Sequence, residues 1–171
     1  MKKIGLIAFL LCLFSNASFA QKFAFIDTEY ILSQIDDFKA NEEKIEARVA
    51  EYQKEITQLT EEVQNLYKVY QEKAEKMNEN QRKSEEEAIM KKEQKAMELG
   101  RSYFGPEGSV ADLRSKLLDP FYDKIYEAAK LIATKYDYAA IIDRATASSI
   151  IFALPQYDIS NEILSTMGYS K

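Results

Sequence analysis

The chain has 171 residues, enough for one domain, with 30% charged residues, a formal net charge of −5 and no histidine. Its one cysteine, Cys12, sits in a leader-like start, so the remainder carries neither thiol nor imidazole. Disulfides, zinc sites, thiol nucleophiles and histidine general bases are thereby excluded, and the acidic balance argues against a nucleic-acid binder.

Met1 to Ala20 reads as a secretory signal peptide. Lys2 and Lys3 are basic, Ile4 to Phe14 is an apolar run too short for a usual membrane span, and Ser18-Phe19-Ala20 places small residues at −3 and −1 of a cut before Gln21. An uncleaved membrane anchor is the alternative. A lipoprotein reading through Cys12 is weaker, because Leu11 precedes it where such sites want a small residue. Cleavage removes Lys2 and Lys3 and no acid, taking the net charge from −5 to −7. Export into an oxidising compartment suits a chain without cysteine.

Phe23-Ala24-Phe25-Ile26-Asp27 predicts a short strand, aromatic and β-branched. Asp27 or Thr28 then caps a short helix to Ile35, with Tyr30, Ile31, Leu32 and Ile35 as its apolar side.

Asp36 opens a stretch with no Gly or Pro up to Leu99, and residues 36–101 carry 17 acidic and 13 basic side chains among 66 positions. Val49, Ile56, Val63, Tyr70 and Met77 recur every seven residues, as do Ile45, Tyr52, Leu59 and Leu66 four residues ahead of them. Taken as positions a and d, these make a coiled-coil seam. From Phe38 to Met77 such a helix is about 60 Å long, too long to fit inside a compact body of this size, so it must project. The seam then fails: Lys73 takes a d position, and Asn78 to Glu87 holds no apolar residue. When apolar residues resume, Ile89, Ala96 and Tyr103 keep the period in a new phase. A phase break around a polar run predicts a reversal with its tip near Asn78 to Gln81. One unbroken helix is the alternative.

The returning arm, from about Arg82, carries two stripes, Ile89–Ala96–Tyr103 and Met90–Met97–Phe104. Gly105-Pro106-Glu107-Gly108 predicts a turn, and it is no phosphate loop, since no Gly-Lys-Ser/Thr follows. Ser109 to Leu118 is helical. Asp119-Pro120 is either a fresh helix start or a kinked continuation to Tyr136. Tyr138 to Asp143 and Ser149 to Leu154 predict two more strands joined by a turn at Arg144 to Ala147. Asp158 or Ser160 caps a last helix through Met167, stopped by Gly168.

Strands this short are stable only in a shared sheet, which requires the intervening helices to go out and come back. The expected fold is α+β and mostly α: a small body of three short strands (21–37 and about 120–171) and a long α-helical coiled-coil hairpin (about 38–119). A three-stranded sheet keeps exposed edges, and closing it with copies of itself would remove them.

This order of parts resembles the OmpH/Skp family of periplasmic chaperones. The match runs through FAFIDTEYILSQI, the heptad arm, YFGPEG and YAAIIDRATASSIIFALPQYDISNEIL; the FIDTEYIL, YFGPEG and PQYDIS segments resemble the branch found in Bacteroidetes-type bacteria. The resemblance implies a homotrimer whose strands form a common β-barrel. Three helical arms would enclose a cavity that holds unfolded outer-membrane proteins in the periplasm without ATP. One departure matters. Well-studied members are strongly basic, whereas this chain is acidic, so a lipopolysaccharide site is not carried over and membrane contact is not indicated by charge. Arg82, Lys83, Lys91, Lys92, Lys95 and Arg101 are interleaved with Glu85, Glu86, Glu87, Glu93 and Glu98, which reads as a solvated helix face.

A holdase needs many weak contacts, an adaptable apolar surface and charge around it. Tyr67 and Val69, at e and g beside the seam, and the Met90, Met97, Phe104 stripe suit client binding; methionine and tyrosine are flexible or amphipathic. The bland reading is that they widen the hairpin core. Phe23, Phe25, Ile141, Ile142, Ile150 and Phe152 are expected to form the oligomer core. The competing function is a coiled-coil spacer of the cell envelope. Enzyme activity is not expected: Asp143 and Asp158 are the best-placed acids and read as turn and cap residues, and no catalytic set, metal or cofactor is implied.

Overall fold

In the computed structural model, which describes residues 21–169, two short strands lie side by side and parallel. They are β1 (Lys22–Ile26) and β2 (Tyr138–Asp143), with Ala24 opposite Ile141 and Phe25 opposite Ile142. The signal-peptide reading of residues 1–20 lies outside the described residues. Parallel neighbours need a crossover, and here the crossover is nearly the whole protein. After β1 come α1 (Thr28–Ser33), α2 (Asp36–Lys73), α3 (Glu79–Phe104) and α4 (Ser109–Tyr136); α5 (Ser160–Thr166) follows β2.

The predicted hairpin forms. Helix α2 runs 38 residues out and α3 runs 26 back. At the end of α2 the chain tightens into a single turn of 3-10 helix, Ala74–Lys76, and Met77 is extended. The reversal thus falls just before the Asn78–Gln81 stretch expected at the tip. Asn78 and Gln81 instead start α3 with a reciprocal capping box: Gln81 N–H donates to the Asn78 side chain at 2.9 Å, and Asn78 N–H to the Gln81 side chain at 3.0 Å.

Gly105 and Gly108 make the turn into α4 by close approach. A Cβ on Gly105 would lie 2.4 Å from the Arg101 carbonyl oxygen, and one on Gly108 2.7 Å from that of Tyr103. Of the two readings of Asp119-Pro120, continuation is the one found: α4 is one helix of 28 residues with Pro120 inside it. Proline supplies no N–H there, and beside it the Asn41 amide of α2 donates to the Leu117 carbonyl at 3.1 Å. Asp137 ends α4 in the left-handed region at φ 59°, which a short polar side chain tolerates.

The body core lies between one face of the sheet and α1, α4 and α5. Ala24 and Ile26 point into it from β1, Ile31 and Leu32 from α1, Ile125 and Ile132 from α4, and Ile163 and Leu164 from α5. Phe38 at the base of α2 joins it, edge-on to Phe121 with ring centroids 5.5 Å apart. The arm has a much thinner core. Among the described residues, Ile45, Val63 and Ile89 are its buried apolar side chains, and other heptad positions such as Ile56 and Leu59 are half-buried. Two helices alone cannot enclose a seam.

The third expected strand does not form. Residues 149–154 are extended or turn-like and pair with nothing among the described residues. Successive tight turns, Ala147 N–H to the Asp143 carbonyl and Ile150 N–H to that of Ala147, carry the chain away from the edge of β2. The further contact to the sheet comes later, as a single bridge between Phe25 and Asp158 on the other edge of β1. In the isolated chain the sheet therefore has two strands, not three.

The strand ends are latched by polar side chains. The Asp143 carboxylate accepts from Thr28 N–H (3.1 Å), the Thr28 hydroxyl (2.8 Å), Ala145 N–H (3.1 Å) and the Thr146 hydroxyl (3.0 Å). Partial burial raises its pKa, but these donors outweigh burial and hold it below its ordinary value of 3.8. A depressed carboxyl stabilises the fold above its unfolded pKa of about 3.9 and loses that contribution as pH falls through the folded value. Thermal midpoints recorded from neutral pH down to about pH 2 should show a shallower acid limb in Asp143→Asn than in wild type, together with a lower midpoint at neutral pH. In the core, Ile163→Ala should lower the unfolding free energy by about 2–5 kcal/mol in a denaturant titration.

Candidate interaction surfaces

The arm carries its exposed apolar residues beside the seam. On α3 the stripe of Ile89, Ala96 and Tyr103 faces α2, with Ile89 buried and the other two half-buried. The neighbouring stripe is turned outward: Met90 is 56% exposed, Met97 68%, and Phe104 is also exposed. Tyr67 and Val69 on α2 are exposed too.

The five do not share one face. Tyr67 and Val69 are two positions apart, about 200° around a helix, and so flank the seam on opposite sides. Val69 lines a shallow groove with Glu62, Asn65, Leu66 and Lys92. The Met90 stripe lies on Tyr67's side. The Tyr70 hydroxyl, one turn from Tyr67, donates to Glu86, one turn before Met90. Phe104 meets Tyr52 edge-on at 6.5 Å. Lys92 lines Val69's groove and lies two positions, about 200°, from Met90, so the line of Met90, Met97 and Phe104 turns to the other side of the arm, Tyr67's side, and Val69 stands apart.

Polar ties cross the seam on Val69's side, where Glu55, Glu62 and Val69 share one line of α2. Tyr52 and Tyr103 stack at 3.9 Å with planes 13° apart, and the Tyr103 hydroxyl donates to Glu55 at 2.8 Å. Lys92 pairs with Glu62 at 2.6 Å, and its hydrogen bond and charge draw the Glu62 pKa down. All of these charged groups are solvent-exposed, so each tie contributes little alone and together they set the register of the two helices. Apart from Lys92 and the half-buried Glu93, the interleaved charges of α3 lie on exposed positions.

A second surface is the outer face of the sheet. Strand alternation puts Phe23, Phe25, Ala140 and Ile142 on the side away from the core, while Ile141 packs inward against it. Phe23 is exposed, and Phe25, Ile142 and Ile150 are half-buried. Ile151 and Phe152 are 99% and 76% exposed. Ile151 carried no signal of its own in the sequence; a paired strand would have turned it to one face, and only the unpaired segment exposes it. Ile141 therefore belongs to the core of the protomer, whereas the other five expected oligomer residues lie outside that core.

Asp143 serves its turn, but neither Asp158 nor Ser160 caps the last helix: its N-cap is Ile159, without a side-chain bond, and Asp158 closes the short turn ahead of it. Asp158 accepts from Ser160 N–H at 2.9 Å and from the Arg144 guanidinium at 2.6 Å, with Asp27 3.7 Å from the same nitrogen. Asp27 caps α1 through Tyr30 N–H, and its own N–H donates to the buried Ser160 hydroxyl. Among the described residues no three acidic side chains converge to hold a metal ion.

Comparison with known proteins gives this arrangement a family. The sequence model of the outer membrane protein (OmpH-like) family matches residues 22–167. A crystal structure of a candidate outer membrane chaperone (OmpH-like) from Caulobacter crescentus CB15 superimposes with a TM-score of 0.64 at 12% identity, covering 88% of each chain. At that identity the likeness is one of fold. Curated proteins gave no match. A family match that spans the sheet, both legs of the arm and the closing helix shows that the chain belongs to the OmpH-like family.

Proposed function

We propose that the protein is an ATP-independent periplasmic holdase. It binds unfolded outer-membrane β-barrel proteins through the arm, and it works as a homotrimer joined by its sheets after the leader is cleaved at Ala20. The observation that carries this reading is the apolar face of Tyr67, Met90, Met97 and Phe104, exposed along the arm and outside the seam that holds the arm together. A spacer needs the seam and no more. It has no use for two methionines and two aromatic rings turned to water beside it.

The chemistry fits a transient partner. Each side chain offers a contact of about 1–3 kcal/mol when fully buried, strong in sum and reversible singly. Methionine adapts to varied shapes, and the tyrosine ring is amphipathic. The flanking Lys83, Glu86, Glu93 and Arg101 keep the arm soluble between clients. Val69, on the opposite side, contacts a client only where one arm is wrapped from both sides.

The trimer reading rests on the sheet. Phe23, Phe25 and Ile142 share an outer face, Phe23 exposed and the other two half-buried, and Ile150 to Phe152 lie unpaired. Three copies turning these faces inward would bury them together and close the open edges.

Replacing Tyr67, Met90 and Met97 together by Ser should leave thermal stability and assembly mass unchanged, and should weaken retention of a urea-denatured porin on the order of tenfold. Unchanged retention would remove the arm face from the mechanism. Ile142→Asp places a charge on the outer face of the sheet, where burial without a partner is costly. It should give monomers or aggregates by light scattering, and a well-behaved trimer would refute the barrel role of that face.

A further inference from the structure

The same face concentrates the accessible sulfur of the described residues. The described residues contain no cysteine, so their oxidisable sulfur is methionine alone: Met77, Met90, Met97 and Met167. These four fall into two pairs. Met77 is half-buried at the arm reversal on the seam series, and Met167 packs against the body core. Met90 and Met97 are 56% and 68% exposed and sit seven residues apart on one line of α3, about 10 Å along the helix. Neither takes part in the buried seam, which α3 makes through Ile89 and its stripe.

We propose that Met90 and Met97 form a redox-sensitive modification site, where a two-electron oxidant of the peroxide class switches client binding off without unfolding the arm. The inference rests on the chaperone reading of this face. The thioether sulfur attacks one peroxide oxygen and the O–O bond breaks. The sulfur keeps that oxygen as a sulfoxide, and the other leaves as hydroxide, which takes up the remaining proton as water. Sulfur loses two electrons and hydrogen peroxide gains them. Accessibility sets the order of attack, so the outward pair reacts before Met77 and Met167. The product replaces a flexible apolar side chain with a polar one at two of the four positions of the face. Because both sulfurs project beside the seam, the helices stay paired while the surface loses its apolar character. Methionine sulfoxide reductases return the thioether, so the change is reversible.

The test treats wild-type protein and the Met90→Leu/Met97→Leu variant with hydrogen peroxide. It then maps sulfoxides by peptide mass spectrometry and measures helicity, thermal midpoint and retention of a urea-denatured porin. Leucine keeps the apolar volume and has no sulfur to oxidise. In the wild type, Met90 and Met97 should be oxidised first, helicity should hold, and porin retention should fall on the order of tenfold, recovering after reductase treatment. The leucine variant should retain porin equally before and after peroxide. Oxidation of Met77 or Met167 as fast as the outward pair, undiminished retention by the oxidised wild type, or an equal loss in the leucine variant would each overturn the proposal. If untreated wild type fails to hold porin, the chaperone reading itself falls, and that result appears before any peroxide is added.

Discussion

Everything in this fold follows from pairing two strands that are far apart in sequence and parallel in space. A parallel pair cannot be closed by a tight turn. The chain between β1 and β2 must leave the sheet and come back to the same side, and here it does so as a hairpin of two long helices and a third helix that covers the sheet. The latches at the strand ends hold this arrangement in register. Asp143 ties the end of β2 to the start of α1, and Asp27, Arg144, Asp158 and Ser160 tie both strands to the last helix. Loss of the sheet would leave the arm without an anchor.

The second constraint is the thinness of the arm. The body packs a sheet face against three helices and buries a continuous apolar cluster. Two helices have only one line of mutual contact, so most of each surface meets water. The sequence pays for solubility with charge on most of that surface and keeps an apolar line on one side. That line is where binding can occur without competing with the packing of the arm. The two roles are carried by adjacent residues, Ile89 and Met90, or Ala96 and Met97, about 100° apart around one helix.

Much of this was legible in the sequence, and the limits have physical causes. The heptads and their phase break reveal the two legs of the arm, because seam packing imposes a period that solvent-facing positions lack. The reversal itself is displaced, since Asn78 and Gln81 have polar side chains that suit a tip and suit a capping box equally well. Ser149 to Leu154 has the composition of a strand but stays unpaired, because strand formation depends on a partner edge that a single chain does not present. Pro120 leaves two readings open for a related reason: proline marks a helix start by local rule, and the continuation found depends on tertiary contact with α2. The apolar residues of the arm and the opposition of Tyr67 and Val69 are visible in sequence, but only the Tyr70–Glu86 contact and the place of Lys92 beside Val69 show which side of α2 the methionine line shares.

The proposed assembly joins both surfaces, with sheet faces turned together and arms projecting around a space where a client is held. Mass photometry of residues 21–171, alone and with a urea-denatured porin, tests that account most directly. It predicts a particle of three protomers that shifts by the mass of one porin. A stable monomer that leaves the porin to aggregate would contradict it.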